Sequence, residues 1–206
     1  MLERCVNLAL FRHDASHVYE LPFEKDARYR CCQTYGGTRS HHGDSHFSVD
    51  FWMPIGSVIC AARSGCVVRS LDTNELPTDG CNSIRICHDD FSVACYAHIR
   101  LNGALVSDGE WVDVGQPIAL SGNTGCSGRP HLHFHVQTAY DKTRIPTLFR
   151  TSIGVLDMLI DNEFYSQTDV SVRSPTEESD NHRMQRRTGG LFSRLLASLS
   201  PVPADA

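Results

Sequence analysis

The segment Gly128-Arg129-Pro130-His131-Leu132-His133-Phe134-His135 carries three imidazoles at alternate positions, directly after a glycine-rich turn. In a β-strand, side chains repeat every two residues, so His131, His133 and His135 would project from one face. A strand built only to bury that face would carry valine or isoleucine there. Imidazoles cost desolvation unless they face water, find hydrogen-bond partners or coordinate a metal ion. Solvated histidines on a sheet edge would account for the pattern without chemistry. A metal site instead needs a further ligand, preferably a carboxylate, and the histidine-rich segment His41–Asp50 offers one.

The elements that must position these residues read as β-structure. From Tyr19 to about Phe149, short apolar or alternating runs are separated by Gly, Pro, Asn and Asp. The expected strands are Ser48–Trp52, Ser57–Ala62, Gly65–Leu71, Ser83–His88, Ser92–His98, Trp111–Val112, Pro117–Gly122 and His131–Gln137. Their close spacing, with no long amphipathic helix between them, predicts a compact antiparallel all-β domain, sheet- or barrel-like. Loops are expected at Gly36-Gly37, Pro77–Gly80 and Gly122–Gly128. The domain is expected over 19–150, after an N-terminal extension, 1–18, and before a C-terminal extension, 151–173. Residues 174–206 then form a flexible tail: Ser174–Gly190 is polar and short of large apolar residues. Within it, 191–199 could form a short helix with Leu191, Leu195 and Leu199 on one face, although so short a helix is marginal in isolation.

Composition narrows the function. A chain of 206 residues can bury a core without a metal for bare folding, so a metal here would be functional. Its net charge of −5, with acids and bases mixed along the chain, gives no electrostatic case for nucleic acid. Nine cysteines without a Cys-x-x-Cys pair indicate neither a zinc knuckle nor a complete disulfide framework. Cys60, Cys66, Cys87 and Cys95 fall in strand-like runs and read as small buried hydrophobes. No stretch approaches the ~20 apolar residues of a transmembrane helix. Met1–Phe11 lacks the basic start and cleavage site of a secretory signal, so export by that route is not expected unless the start of the chain is missing. The pattern does not set an oligomeric state.

Four separated motifs then occur in order: the histidine-rich segment ending in Asp50, Pro54-Ile55-Gly56, Tyr96-Ala97-His98, and Ser121-Gly122-Asn123-Thr124-Gly125 leading into Pro130-His131-Leu132-His133-Phe134. Together, over roughly Tyr19 to Gln137, they resemble the lysostaphin-type (LytM-like) zinc endopeptidases, which cut peptide bonds in bacterial cell-wall peptidoglycan. The resemblance implies a Zn2+ cofactor held by a histidine, Asp50 and His133, with His98 and His131 as catalytic imidazoles. It also implies peptidoglycan peptides or related Gly/Ala-rich peptides as substrate, and a place in the cell envelope, periplasm or medium.

The first ligand has two candidates. His46 stands four residues before Asp50, but along a straight strand that separation is ~13 Å. Both donors must lie ~2 Å from one ion, and Phe47-Ser48-Val49 is a poor turn. His41 is preferred, because Gly43 and Asp44 can supply the bend before the strand that delivers Asp50; His46 remains the alternative. His135 is expected to line the groove or orient a neighbour rather than to ligate.

Two other functions fit parts of the chain. A non-catalytic wall-binding or regulatory module of the same fold would typically lack a metal or catalytic residue, whereas every position can be filled here. Trp111–Ile118 looks like the hairpin of biotinyl and lipoyl carrier domains, yet Lys25 and Lys142, the only lysines, lie outside it. The resulting expectation is a zinc metalloendopeptidase.

Overall fold

The computed structural model describes residues 16–75 and 80–167, so the expected tail and its 191–199 helix lie outside the described residues, as does most of the N-terminal extension. The first strands are β1 (Val18–Glu20), β2 (Arg28–Gln33), β3 (Ser48–Trp52), β4 (Val58–Cys60) and β5 (Gly65–Leu71). They are followed by β6 (Ser83–Cys87), β7 (Ser92–Ala97), β8 (Ile99–Ala104), β9 (Trp111–Val112) and β10 (Pro117–Ser121). The last are β11 (Leu132–Thr138), β12 (Arg144–Ile145), β13 (Leu148–Thr151), β14 (Gly154–Leu156) and β15 (Phe164–Ser166). The one helical element among the described residues is a single 3-10 turn at Gly43–Ser45.

The fold is all-β, as expected. A nine-stranded sheet runs in the order β15-β2-β3-β11-β7-β6-β5-β9, with β12 pairing to β11, and smaller sheets β4-β10-β8 and β1-β13-β14 accompany it. Every pairing within the large sheet is antiparallel; β1 with β13 is parallel. The strands β1, β2, β8 and β12–β15 were not foreseen. Residues 18–33 and 144–166 carry too little two-residue alternation to announce strands.

Strand β11 lies at the centre and separates two chemistries. Leu132, Phe134 and Val136 are buried on its core face, while His133, His135 and Gln137 occupy the other. Register pairing extends this division across the sheet. Val49, Phe134, Tyr96 and Ile84 form one row, and Asp50, His133, Ala97 and Ser83 form the next. Behind the first row the Phe134 ring meets Tyr96 at 5.2 Å, Phe149 at 5.7 Å and Tyr19 at 6.5 Å, all edge-on. The aromatic core therefore fixes the back of the strand whose front carries the imidazoles.

Cys60, Cys66, Cys87 and Cys95 are buried and free, and no disulfide joins the described cysteines. Phe134→Ala should lower the unfolding free energy by about 3–5 kcal/mol in urea denaturation, the cost of an unfilled aromatic site in a packed core. A loss below about 1 kcal/mol would show that this face of β11 is not fixed as described.

Candidate metal centre

The antiparallel pairing of β3 with β11 sets Asp50 directly opposite His133. His133 Nδ1 stands 2.8 Å from Asp50 Oδ1. His41 reaches the same oxygen from outside the sheet: its Nε2 is 3.1 Å from Asp50 Oδ1, and the side chain is fully buried. One ligand atom from each of His41, Asp50 and His133 lies within 4.8 Å of the others.

The backbone between His41 and β3 explains how this happens. Gly43 adopts a left-handed conformation (φ 55°), opening the 3-10 turn in which His46 N–H donates to the Gly43 carbonyl. That turn shortens the path back to β3 and leaves His46 exposed, its ring against Phe47 at 4.7 Å. His46 is outside the cluster, and His42 is exposed as well.

The hydrogen bonds around the cluster aim its lone pairs inward. His41 Nδ1 donates to the Thr34 carbonyl at 2.9 Å, so its Nε2 is the bare nitrogen. That buried Nε2 makes no hydrogen bond despite its closeness to Asp50, since a lone pair and a carboxylate cannot bond to each other. On β11, His135 Nε2 donates to Gln137 Oε1 at 3.2 Å, which leaves His135 Nδ1 to accept from His133 Nε2 at 3.2 Å. His133 Nδ1 is then bare and faces Asp50 Oδ1. Lone pairs this close repel, so a proton or a cation must lie between them. Asp50 is steadied through its other oxygen, where Gln33 Nε2 donates to Oδ2 at 3.2 Å.

The electrostatics agree with this donor set. Burial alone would raise the pKa of Asp50, but protons on the His133 and His41 nitrogens that face it, and then His131, outweigh this and hold the carboxyl well below the usual range; a cation among the three donors would take the place of those protons. Burial depresses His133 against the opposing pull of Asp50. Burial and then His133 push His135 down to about 2, so His135 is neutral. Two imidazoles and one carboxylate, with an unsatisfied buried nitrogen among them, suit a divalent ion such as zinc.

His98 and His131 stand beside this cluster, with ring centroids 4.4 Å apart, and His98 is 6.0 Å from the His133 ring. His98 directly follows β7 in a left-handed conformation (φ 65°), which costs a residue with a β-carbon about 1 kcal/mol. Its Nδ1 donates to the Thr124 carbonyl at 2.7 Å, and burial, followed by the charge of His131, lowers its pKa to about 4. His131 lies one residue before β11; its Nδ1 donates to the Arg129 carbonyl at 2.8 Å, and its Nε2 is 3.8 Å from Asp50 Oδ1. Both rings therefore keep Nε2 for other work. The loop supplying Thr124 depends on Gly125, where φ is 74° and a β-carbon would meet Cys81 Cβ at 2.6 Å. Tyr96, by contrast, is a core residue whose hydroxyl accepts from Ala62 N–H.

Sequence reasoning missed Gln33, the Thr34 carbonyl and Gln137. Only the two-residue spacing from His135 to Gln137 on one strand face could have signalled any of them.

Residues 44–145, about half of the chain, match the model of peptidase family M23. The chain belongs to that family. It is 38% identical over 93 residues to lysostaphin from Staphylococcus simulans, covering 45% of this chain and 18% of that protein. Over 115 residues it is 35% identical to the peptidoglycan DD-endopeptidase ShyA of Vibrio cholerae, covering 54% and 25%. The glycyl-glycine endopeptidase ALE-1 of Staphylococcus capitis is 36% identical over 97 residues, covering 47% and 26%. The chain thus spans about a fifth to a quarter of the length of these curated relatives.

Replacing His135 with Phe removes the acceptor that orients His133 while keeping an aromatic side chain. Zinc affinity, measured by competition with a chromophoric chelator, should fall about 10- to 100-fold with an unchanged far-UV spectrum. Undiminished affinity would show that the His133–His135–Gln137 chain does not tune the site.

Proposed function

We propose that this chain is a zinc-dependent endopeptidase acting on peptide bonds of bacterial peptidoglycan or related Gly/Ala-rich peptides. The observation that carries the reading is the convergence of His41 Nε2, Asp50 Oδ1 and His133 Nδ1, two of them nitrogens bared by hydrogen bonds made elsewhere on their rings. Family membership and the names of the relatives support the substrate class. Action on peptidoglycan implies a place of work at the cell envelope.

These three side chains would hold zinc, which supplies a Lewis acid for the scissile carbonyl and lowers the pKa of water in the site. His98 and His131 flank the cluster on the groove side. Each has its Nδ1 proton committed to a backbone carbonyl, so each offers Nε2 as the atom that takes or returns a proton. The low pKa of His98 keeps it neutral near pH 7, so its Nε2 lone pair is not already protonated. Held Nδ1–H groups also stop either ring from turning away during proton transfer.

The test is digestion of purified sacculi followed by mass spectrometry of the released peptides. Wild type should release peptides with new amino termini, lose that activity with a chelator and regain it with zinc. His133→Ala should lose turnover by at least about a thousandfold together with its metal, whereas His98→Ala should retain zinc while losing turnover. Stoichiometric zinc without release of any wall peptide would favour a binding module of the same fold.

A further inference from the structure

The site opens into a groove of about 740 Å³ whose charge opposes that of the chain as a whole. The protein carries a net charge of −5. Yet the groove is lined by Arg30, Arg39, Arg129 and Arg144, and Asp50 is the single carboxylate among its described lining residues. Asp50 is already engaged by His41, His133 and Gln33.

Outside the groove, two half-buried arginines are neutralised by carboxylates. Arg63 pairs with Asp89 and Asp90, and Arg150 pairs with Glu20. Among the described residues, none of the four groove arginines has a carboxylate within ion-pair distance. Gathering like charges in a concave surface is unfavourable unless an anion enters it.

Arg144 is the best placed of the four. It comes from β12, beside β11, and its Nη1 donates to the buried hydroxyl of Ser48. Ser48 faces His135 across the β3–β11 pairing, two rows along from Asp50 and His133 and so on the same face of the sheet. The guanidinium is thereby fixed in the same groove as the metal cluster, and among the described residues its other N–H groups have no acceptor. A planar fork of donors of this kind matches a carboxylate in two-point fashion. Arg30, on the far side of Asp50, is likewise held, with its guanidinium 4.6 Å over the Trp52 ring.

We propose that this groove selects peptides bearing a free carboxylate next to the bond presented to the metal cluster, with Arg144 as the fixed contact and Arg30, Arg39 and Arg129 supplying the surrounding field. The proposal rests on the endopeptidase reading and narrows its substrate class to acidic peptides over neutral ones such as oligoglycine. Arg144 is here a specificity residue.

The experiment compares two fluorescent wall-type peptides that differ only in a carboxylate or a carboxamide beside the scissile bond. Binding is measured by anisotropy on the full chain, with and without zinc, and hydrolysis is measured in parallel. Wild type should bind the carboxylate peptide at least about tenfold more tightly, and the preference should shrink as salt is raised. Arg144→Gln should bring the ratio of affinities towards one, and Arg144→Lys should retain part of it. Equal affinity of wild type for the two peptides, or an undiminished preference in folded Arg144→Gln, overturns the inference. A carboxylate preference in binding without hydrolysis of either peptide by the zinc-loaded protein supports the recognition and removes the endopeptidase reading. Equal binding with equal hydrolysis does the reverse.

Discussion

The register of β3 against β11 is the constraint on which the site depends. It places Asp50 opposite His133 and, one position along, Val49 opposite Phe134. A slip of one residue would bury the imidazoles and turn Phe134 outward. The aromatic packing of Phe134 against Tyr96, Phe149 and Tyr19 therefore does more than stabilise the domain: it penalises every register that would misplace the ligands. Core and chemistry are two faces of one strand.

A second level of control lies in the hydrogen bonds one step removed from the cluster. Thr34 fixes which nitrogen of His41 is bare, and Gln137 does so for His133 through His135. Gln33 occupies the second oxygen of Asp50, leaving the first to face both imidazoles. Because His98 and His131 are anchored through Nδ1 as well, the site is preorganised by backbone carbonyls and amides that cost little to hold in place.

Much of this was legible from residue types and spacing. Alternation in His131–His135 gave the face shared by His133 and His135, and the distance along a straight strand disfavoured His46 beside Asp50 as partner in one cluster. The glycine-containing bend after His42 was the feature that allowed His41 to return, and the 3-10 turn with its left-handed Gly43 is how it does so. The remainder depended on tertiary structure. Gln33 and Thr34 lie in a segment without a motif, and the left-handed turn at His98 follows from where β7 ends. The groove arginines at 30, 39, 129 and 144 are scattered along a net-acidic chain, and only the fold gathers them. The two- to four-residue strands β1 and β12–β15 left no periodic signal because each spans too few residues to show one.

The account turns on whether one divalent ion is held by His41, Asp50 and His133. Diffraction from zinc-loaded crystals on either side of the zinc absorption edge tests it most directly. The account predicts a single anomalous peak within bonding reach of His41 Nε2, Asp50 Oδ1 and His133 Nδ1. A peak bound by His46 or by His135 in place of one of them, or none in the groove, would contradict it.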